Sequence, residues 1–275
     1  MNPRKIYSDI VKMLSSVTSQ PEAEARWFIE EVFGMPKEIF FITEEIDTVK
    51  LKRLHLLVER RIKERIPIQY IFQKAYFMGL ELFVNPWVLI PRPETEILVS
   101  YVIKIYSHRE TPSFFVDVGT GSGAIAISIS YFMKIPGIAT DASRRALTIA
   151  KTNIEKYKVS VELLCANLLD PFKEASLDLI VSNPPYIGSN EFTTLHEEVQ
   201  KEPTSSLIGG KDGHEITVKL MEQAFIRLKK GGSLIIETHR GILEKVIARA
   251  KDLGFRVRAV IKDYSGYERA IHLEK

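Results

Sequence analysis

The four residues Asn183-Pro184-Pro185-Tyr186 follow the apolar run Leu177 to Ser182 and can hold a planar nitrogen. The prolines bar helix and fix φ, so the carbonyls of this turn point in set directions. A planar amide or aryl amine is a poor nucleophile because its lone pair is delocalised. Acceptors on its two N–H bonds can hold it so that the remaining lobe faces a methyl group. The Asn183 side-chain oxygen and the Pro184 carbonyl are acceptors of this kind, and Tyr186 supplies an aromatic wall. No strong base is needed at the start if the group that gives up the methyl departs neutral, since the product nitrogen can shed its proton afterwards. Alignment then carries the reaction, and effective molarities on the order of 10⁵ M correspond to roughly 7 kcal/mol of barrier. The alternative is that the four residues form only a turn.

A second constellation lies upstream. The run Asp117-Val118-Gly119-Thr120-Gly121-Ser122-Gly123 leads into Ala124-Ile125-Ala126-Ile127, which reads as strand, glycine turn and helix. Glycine lets a ligand approach the backbone, and a helix start presents free N–H groups. The spacing G-x-G-x-G is one residue short of the dinucleotide fingerprint, which disfavours nicotinamide and flavin cofactors. Asp141 closes the next strand 18 residues after Gly123, where an acid can accept both hydroxyls of a ribose. Each feature has a plainer reading, a tight turn for the loop and a helix cap before Ser143 for the acid. Together they point to a nucleoside cofactor.

These residues need a scaffold that delivers them to one edge. Strands are expected at 114–118, 137–141, 161–165, 177–182, 233–237, 255–261 and 268–273, with helices at 123–133, 143–156, 213–228 and 242–253 between them. Such alternation gives a mostly parallel α/β sheet covered on both faces. The short link Asp263-Tyr264-Ser265-Gly266 permits only an antiparallel final pair. Ahead of this, apolar residues recur at helical spacing: Ile6, Ile10, Met13 and Val17, then Trp27, Phe28 and Val32, then Leu51, Leu54, Val58 and Ile62. Ser19-Gln20-Pro21-Glu22 fits a capping box, Gly34 can end the second helix, Asp47 or Thr48 can cap the third, and Pro67 stops it. Residues 68–90 suggest a hairpin around Gly79, and Glu94 or Thr95 can start a helix running through His108.

Composition narrows the class further. With 45% apolar and 27% charged residues the chain can bury a core, and no apolar run approaches the roughly 20 residues of a membrane span. No secretory leader is visible, so the protein is expected to be cytoplasmic. The net charge of +3 is too small to imply a nucleic-acid partner. Seven basic residues between Lys50 and Arg65 read as a solvated helix face or a docking patch. Cys165 reads as a small buried hydrophobe, and the histidines His55, His108, His196, His214, His239 and His272 lack ligand spacing, so no metal is expected.

The chain resembles the HemK/PrmC enzymes, which methylate the glutamine amide of a Gly-Gly-Gln motif in peptide chain release factors. The resemblance rests on Pro67-Ile68-Gln69-Tyr70-Ile71, Phe77-Met78-Gly79, Pro91-Arg92-Pro93-Glu94-Thr95-Glu96, the glycine loop and Asn183-Pro184-Pro185-Tyr186-Ile187. It continues through Glu202-Pro203, Gly209-Gly210-Lys211-Asp212-Gly213 and Lys262-Asp263-Tyr264-Ser265-Gly266. It implies a Rossmann-like seven-stranded class I methyltransferase sheet with a small helical N-terminal domain and a linking β-hairpin. The expected divisions are a docking domain at 1–70, the hairpin at 71–92 and the methyltransferase domain at 93–275. The implied cofactor is S-adenosylmethionine, held by Gly119, Thr120, Gly121, Ser122, Gly123, Asp141, Asn167, Leu168 and Asn183. The implied substrate contacts are Asn183, Pro184, Pro185 and Tyr186, bordered by Phe77, Arg92, Pro93 and Glu94. A release factor is the implied partner of a monomeric enzyme, with no direct nucleic-acid substrate. A glutamine of a ribosomal protein, or the amino group of a nucleic-acid base, is the alternative acceptor. Two positions depart from the family pattern: Asn167 stands where Asp is common, and Glu237-Thr238-His239-Arg240 replaces a turn that usually reads Glu-Ile-Gly, which leaves that turn unassigned.

Overall fold

The computed structural model describes residues 2–107 and 110–275. Contacts divide the chain into two compact units, one running to Gln73 and including His196–Lys201, the other comprising Lys74–Leu195 and Glu202–Lys275.

The first unit contains α1 (Pro3–Leu14), α2 (Pro21–Phe33), α3 (Lys37–Phe40), α4 (Thr48–Glu64) and α5 (Ile68–Phe72). The helical-period apolar residues meet in one core, where Ile10, Leu14, Phe28, Ile29, Leu54 and Val58 are buried. Each such side chain contributes roughly 1.5–3 kcal/mol of transfer free energy. Asp47 caps α4 by accepting from the Val49 and Lys50 N–H groups, and Gly34 ends α2 in the left-handed region at φ 72°. The expected capping box is absent: Gln20 is the cap residue of α2 and makes no side-chain bond to the helix. Its own N–H is taken by Thr18 Oγ1, and Pro21 at the first helical position has no N–H to offer. Residues 68–72 form a short helix after Pro67 instead of joining the hairpin.

The basic run on α4 is only partly a solvated face. Arg60–Glu64 and Lys63–Glu59 are exposed pairs one turn apart, and Lys50 Nζ donates to the Phe33 carbonyl. Arg61 is fully buried: Nε and Nη2 donate to Glu24 at 2.9 and 3.0 Å, and Nη2 also donates to Glu198 at 2.7 Å.

The second unit opens with the antiparallel hairpin β1 (Lys74–Phe77) and β2 (Leu80–Phe83). Met78 and Gly79 turn it with φ of 51° and 75°, matching the twist of a two-residue hairpin. Then follow α6 (Pro93–Tyr106), β3 (Phe115–Val118), α7 (Ala124–Met133), β4 (Gly137–Asp141), α8 (Arg144–Tyr157), β5 (Val161–Cys165) and β6 (Leu177–Ser182). A small parallel pair, β7 (Ile187–Gly188) and β8 (Ile208–Gly210), precedes α9 (Glu215–Arg227), β9 (Leu228–Glu237), α10 (Arg240–Asp252), β10 (Arg256–Lys262) and β11 (Glu268–Glu274). Neither Glu94 nor Thr95 caps α6, since that place falls to Arg92; the expected end at His108 lies outside the described residues.

The seven-stranded sheet has the order β10-β11-β9-β6-β3-β4-β5. The run β9-β6-β3-β4-β5 is parallel; at the other end β11 pairs antiparallel with β9, and β10 pairs antiparallel with β11. The chain moves outward from β3 to β4 and β5, then lays β6 on β3's other side, which leaves a crevice at their carboxyl ends. One face is covered by a core around Leu98, Val102, Ile125 and Ile129, the other by one around Leu220, Met221, Leu243 and Val246. Burial on both faces explains why β3 and β6 read as nearly continuous apolar runs. β9 starts at Leu228, five residues before the expected strand at 233. Cys165 ends a strand none of whose residues is fully buried and is itself exposed, which corrects its reading as a buried hydrophobe. No helix among the described residues is long and apolar enough to cross a membrane.

Candidate active site

The carboxyl ends of β3, β4 and β6 surround a cavity of about 430 Å³ lined by Gly119, Gly121, Asp141, Asn167, Leu168 and Asn183, with Trp87, Leu89 and Lys219 among its other walls. A smaller cavity of about 50 Å³ is lined by Pro91, Arg92, Thr95, Thr120 and Ser122. Both spaces share Leu89, Gly119, Gly121 and Asn183, so the glycine loop and the start of the proline turn stand where one meets the other.

The loop's glycines have separate reasons. Gly119 and Gly121 have φ of 73° and 54°, and a Cβ on either would meet no protein atom within 4 Å. The positive φ demands glycine there, and the space beyond the backbone is open. Gly123, at φ 86°, is packed instead: its Cβ would lie 3.0 Å from Ile127 and 3.4 Å from Ala150, and it lines neither cavity. Asp141 Oδ2 accepts from Gly121 N at 2.9 Å and Oδ1 from Ser143 N at 2.8 Å. A carboxylate has about four acceptor sites, so the two backbone bonds leave capacity for a ribose, and burial pushes this carboxyl above its usual range. Leu168 is held at φ 53°, and its carbonyl accepts from Thr140 Oγ1 at 3.4 Å. An apolar-walled space with a strand-end acid, a glycine backbone and Asn167 suits a nucleoside carrying a short polar tail.

At the end of β6, Asn183 Nδ2 donates to Thr95 Oγ1 at 3.0 Å, and Thr95 donates to Glu237 Oε2 at 2.6 Å. Tyr186 donates to Glu237 Oε1 at 3.4 Å, and its ring lies 5.1 Å from that of His239. Burial raises the Glu237 carboxyl to about 7, and burial next to Glu237 raises the Tyr186 phenol as well. Gly209 and Gly213 press on the back of the turn: a Cβ on Gly209 would sit 2.3 Å from the Pro185 carbonyl oxygen, and one on Gly213 2.4 Å from that of Tyr186. Pro184 O has no partner among the described residues.

The segment Pro91 to Glu96 is a brace as much as a rim. Arg92 pairs with Glu202, which also accepts from Ile90 N at 3.0 Å. Glu94 lies 3.7 Å from Arg269, which is bonded to Asp263 at 2.8 Å. Glu96 accepts from Met78 N at 2.6 Å. Arg92 lines the smaller cavity, whereas Pro93 and Glu94 line a separate groove beside Asp263 and Tyr264. Phe77 was expected at the pocket border, but it is 1% exposed and packed in the core. Its alternation with Tyr76 in β1 turns it inward. Sequence reasoning missed Thr95 and Glu237 as members of the site. A signal existed for Glu237, an acid at a strand's carboxyl end, as for Asp141.

This sheet order, with the glycine turn after β3 and the acid ending β4, defines the class I methyltransferase fold. A crystal structure of a methyltransferase from Pyrococcus furiosus shares it at a TM-score of 0.55 with 20% identity, covering 84% of this chain and 99% of that one. Residues 95–210 match the methyltransferase small domain family and residues 6–72 the PrmC N-terminal domain family. A release factor glutamine methyltransferase of Gloeobacter violaceus is 37% identical over 257 residues, covering 90% of this chain and 89% of the relative. Another of Dictyoglomus turgidum is 37% identical over 283 residues, covering 96% of each. The chain belongs to the HemK/PrmC family of release factor glutamine methyltransferases.

Proposed function

We propose that this protein transfers a methyl group from S-adenosylmethionine to the side-chain nitrogen of the glutamine in the Gly-Gly-Gln motif of peptide chain release factors. The observation that carries the reading is Asn183, which opens the Asn-Pro-Pro-Tyr turn and lines both cavities at the cofactor edge. When bound, S-adenosylmethionine supplies a methyl group on a sulfonium, which departs as a neutral thioether while the nitrogen gains the methyl and then sheds a proton. Gly119, Gly121, Asp141, Asn167 and Leu168 hold its nucleoside end, and Thr120 and Ser122 border its reactive end. Asn183 Oδ1 and the Pro184 carbonyl each accept one N–H of the glutamine amide, leaving its lone-pair lobe toward the methyl. Pro185 and Tyr186 wall the amide plane. Orientation replaces a strong base, on the scale of roughly 7 kcal/mol.

In this reading the helical residues 1–70 dock the release factor, the hairpin of 71–92 links them to the catalytic residues 93–275, and the enzyme works as a cytoplasmic monomer on protein. The family membership supports a release factor over a ribosomal protein or a nucleic-acid base as acceptor. The test is transfer of labelled methyl to purified release factor, with the Gly-Gly-Gln glutamine intact or replaced by alanine, and with tRNA and DNA as parallel acceptors. Label on the intact factor alone is expected; label on nucleic acid alone would overturn the reading.

A further inference from the structure

We propose that Thr95 and Glu237 are positioning residues that set the polarity of the clamp, fixing the Asn183 carboxamide with its NH2 group turned inward and its oxygen left for the acceptor nitrogen. This rests on the amide-clamp reading above. Thr95 is the third residue of α6 and is 4% exposed; Glu237 ends β9 and is 3% exposed. The Thr95 hydroxyl has one hydrogen, and with Glu237 ionised it goes to Glu237 Oε2 at 2.6 Å. Toward Asn183, 3.0 Å away, Thr95 Oγ1 can therefore only accept, and the group facing it must be Nδ2. A flipped carboxamide would set two oxygens against each other. Asn183 Oδ1 has no partner among the described residues, so it is the atom available to an incoming N–H.

The other oxygen of Glu237 takes the Tyr186 hydroxyl at 3.4 Å, which ties the first and last residues of the turn to one carboxylate. Glu94 and Arg269 are the remaining charges acting on that carboxylate. An asparagine free to flip would present NH2 hydrogens to a substrate amide that is itself a donor, and half its population would repel the nucleophile.

Thr95→Val keeps the shape and removes the relay. Expected is a fall in kcat of about tenfold or more, with KM for release factor and cofactor affinity by calorimetry changed less than twofold, and recovery of most of kcat in Thr95→Ser. Glu237→Leu should behave like Thr95→Val, and the double variant should lose no more than the worse single one. A second readout needs no substrate: solvent exchange of the Asn183 side-chain amide protons by NMR, slow in the parent and in Thr95→Ser and fast in Thr95→Val. Slow exchange in Thr95→Val, or a kcat loss matched by equal losses in cofactor affinity, would overturn the proposal. If the parent fails to methylate the release factor while the exchange pattern holds, the substrate reading fails and the polarity assignment stands.

Discussion

Asp117 shows what burial does to a carboxyl beside the glycine loop. It is fully buried, and Oδ2 accepts from Thr120 Oγ1 at 2.6 Å and Ala126 N at 3.2 Å, while Oδ1 has no partner. Burial raises this carboxyl to about 7, with the charge of Asp141 adding to the effect. The unfolded chain releases the same proton near pH ~4. Between those values the folded state holds a proton that the unfolded state does not, so its contribution to stability is full below about 4 and is lost as pH rises through about 7. Asp117→Asn keeps an oxygen for Thr120 and Ala126 to donate to and never ionises. Its thermal midpoint, measured without cofactor, should exceed the parent's at pH 8 and approach it at pH 5; an equal difference at both would contradict this. At this scale the sequence was most legible where a residue ends a strand. Asn183 and Asp141 announce themselves that way, and Glu237 could have. Thr95 could not, because its partner lies 142 residues away and a threonine at a helix start has an ordinary local use as a cap.

The elements that were legible are those whose pattern and role coincide. The central strands β3 and β6 are covered on both faces and read as apolar runs, and the amphipathic helices of the first unit read by their period. Features fixed by tertiary bonds were not legible. The capping box fails because Thr18 takes the Gln20 N–H, and the pair β7–β8 is only two to three residues per strand, too short for any period. That pair nonetheless bears directly on the site. Its Gly209 lies so close to the Pro185 carbonyl that a Cβ would come within 2.3 Å, and backbone cannot yield as a flexible side chain does. Gly209→Ala should therefore displace the turn and lower kcat by at least tenfold, about 1.4 kcal/mol, while calorimetry finds cofactor affinity within a few-fold of the parent. Parent-like kcat would show that the turn does not depend on this contact.

At the level of the whole molecule, the chain builds its helical unit from two stretches, and Arg61 joins them. Its guanidinium holds Glu24 of α2 and Glu198 of the His196–Lys201 segment, and Nη1 is buried without a partner. Removing one member of a buried ion pair commonly costs about 3–5 kcal/mol, because the other charge stays buried. Arg61→Ala should lower the unfolding free energy obtained from urea titration by an amount on that scale, whereas Arg60→Ala, which breaks an exposed pair with Glu64, should cost under about 1 kcal/mol; equal effects would contradict the assignment. The charge run was visible in the sequence, but which of its members turns inward depends on acids 37 and 137 residues away.

Asn183 stands where the two cavities meet. The most direct measurement is methyl transfer to release factor by Asn183→Ala, with S-adenosylmethionine affinity measured on the same preparation. Expected is a fall in kcat of roughly a hundredfold or more, about 2.7 kcal/mol, while the cofactor still binds within several-fold of the parent. Equal turnover in variant and parent would mean that Asn183 does not hold the nitrogen.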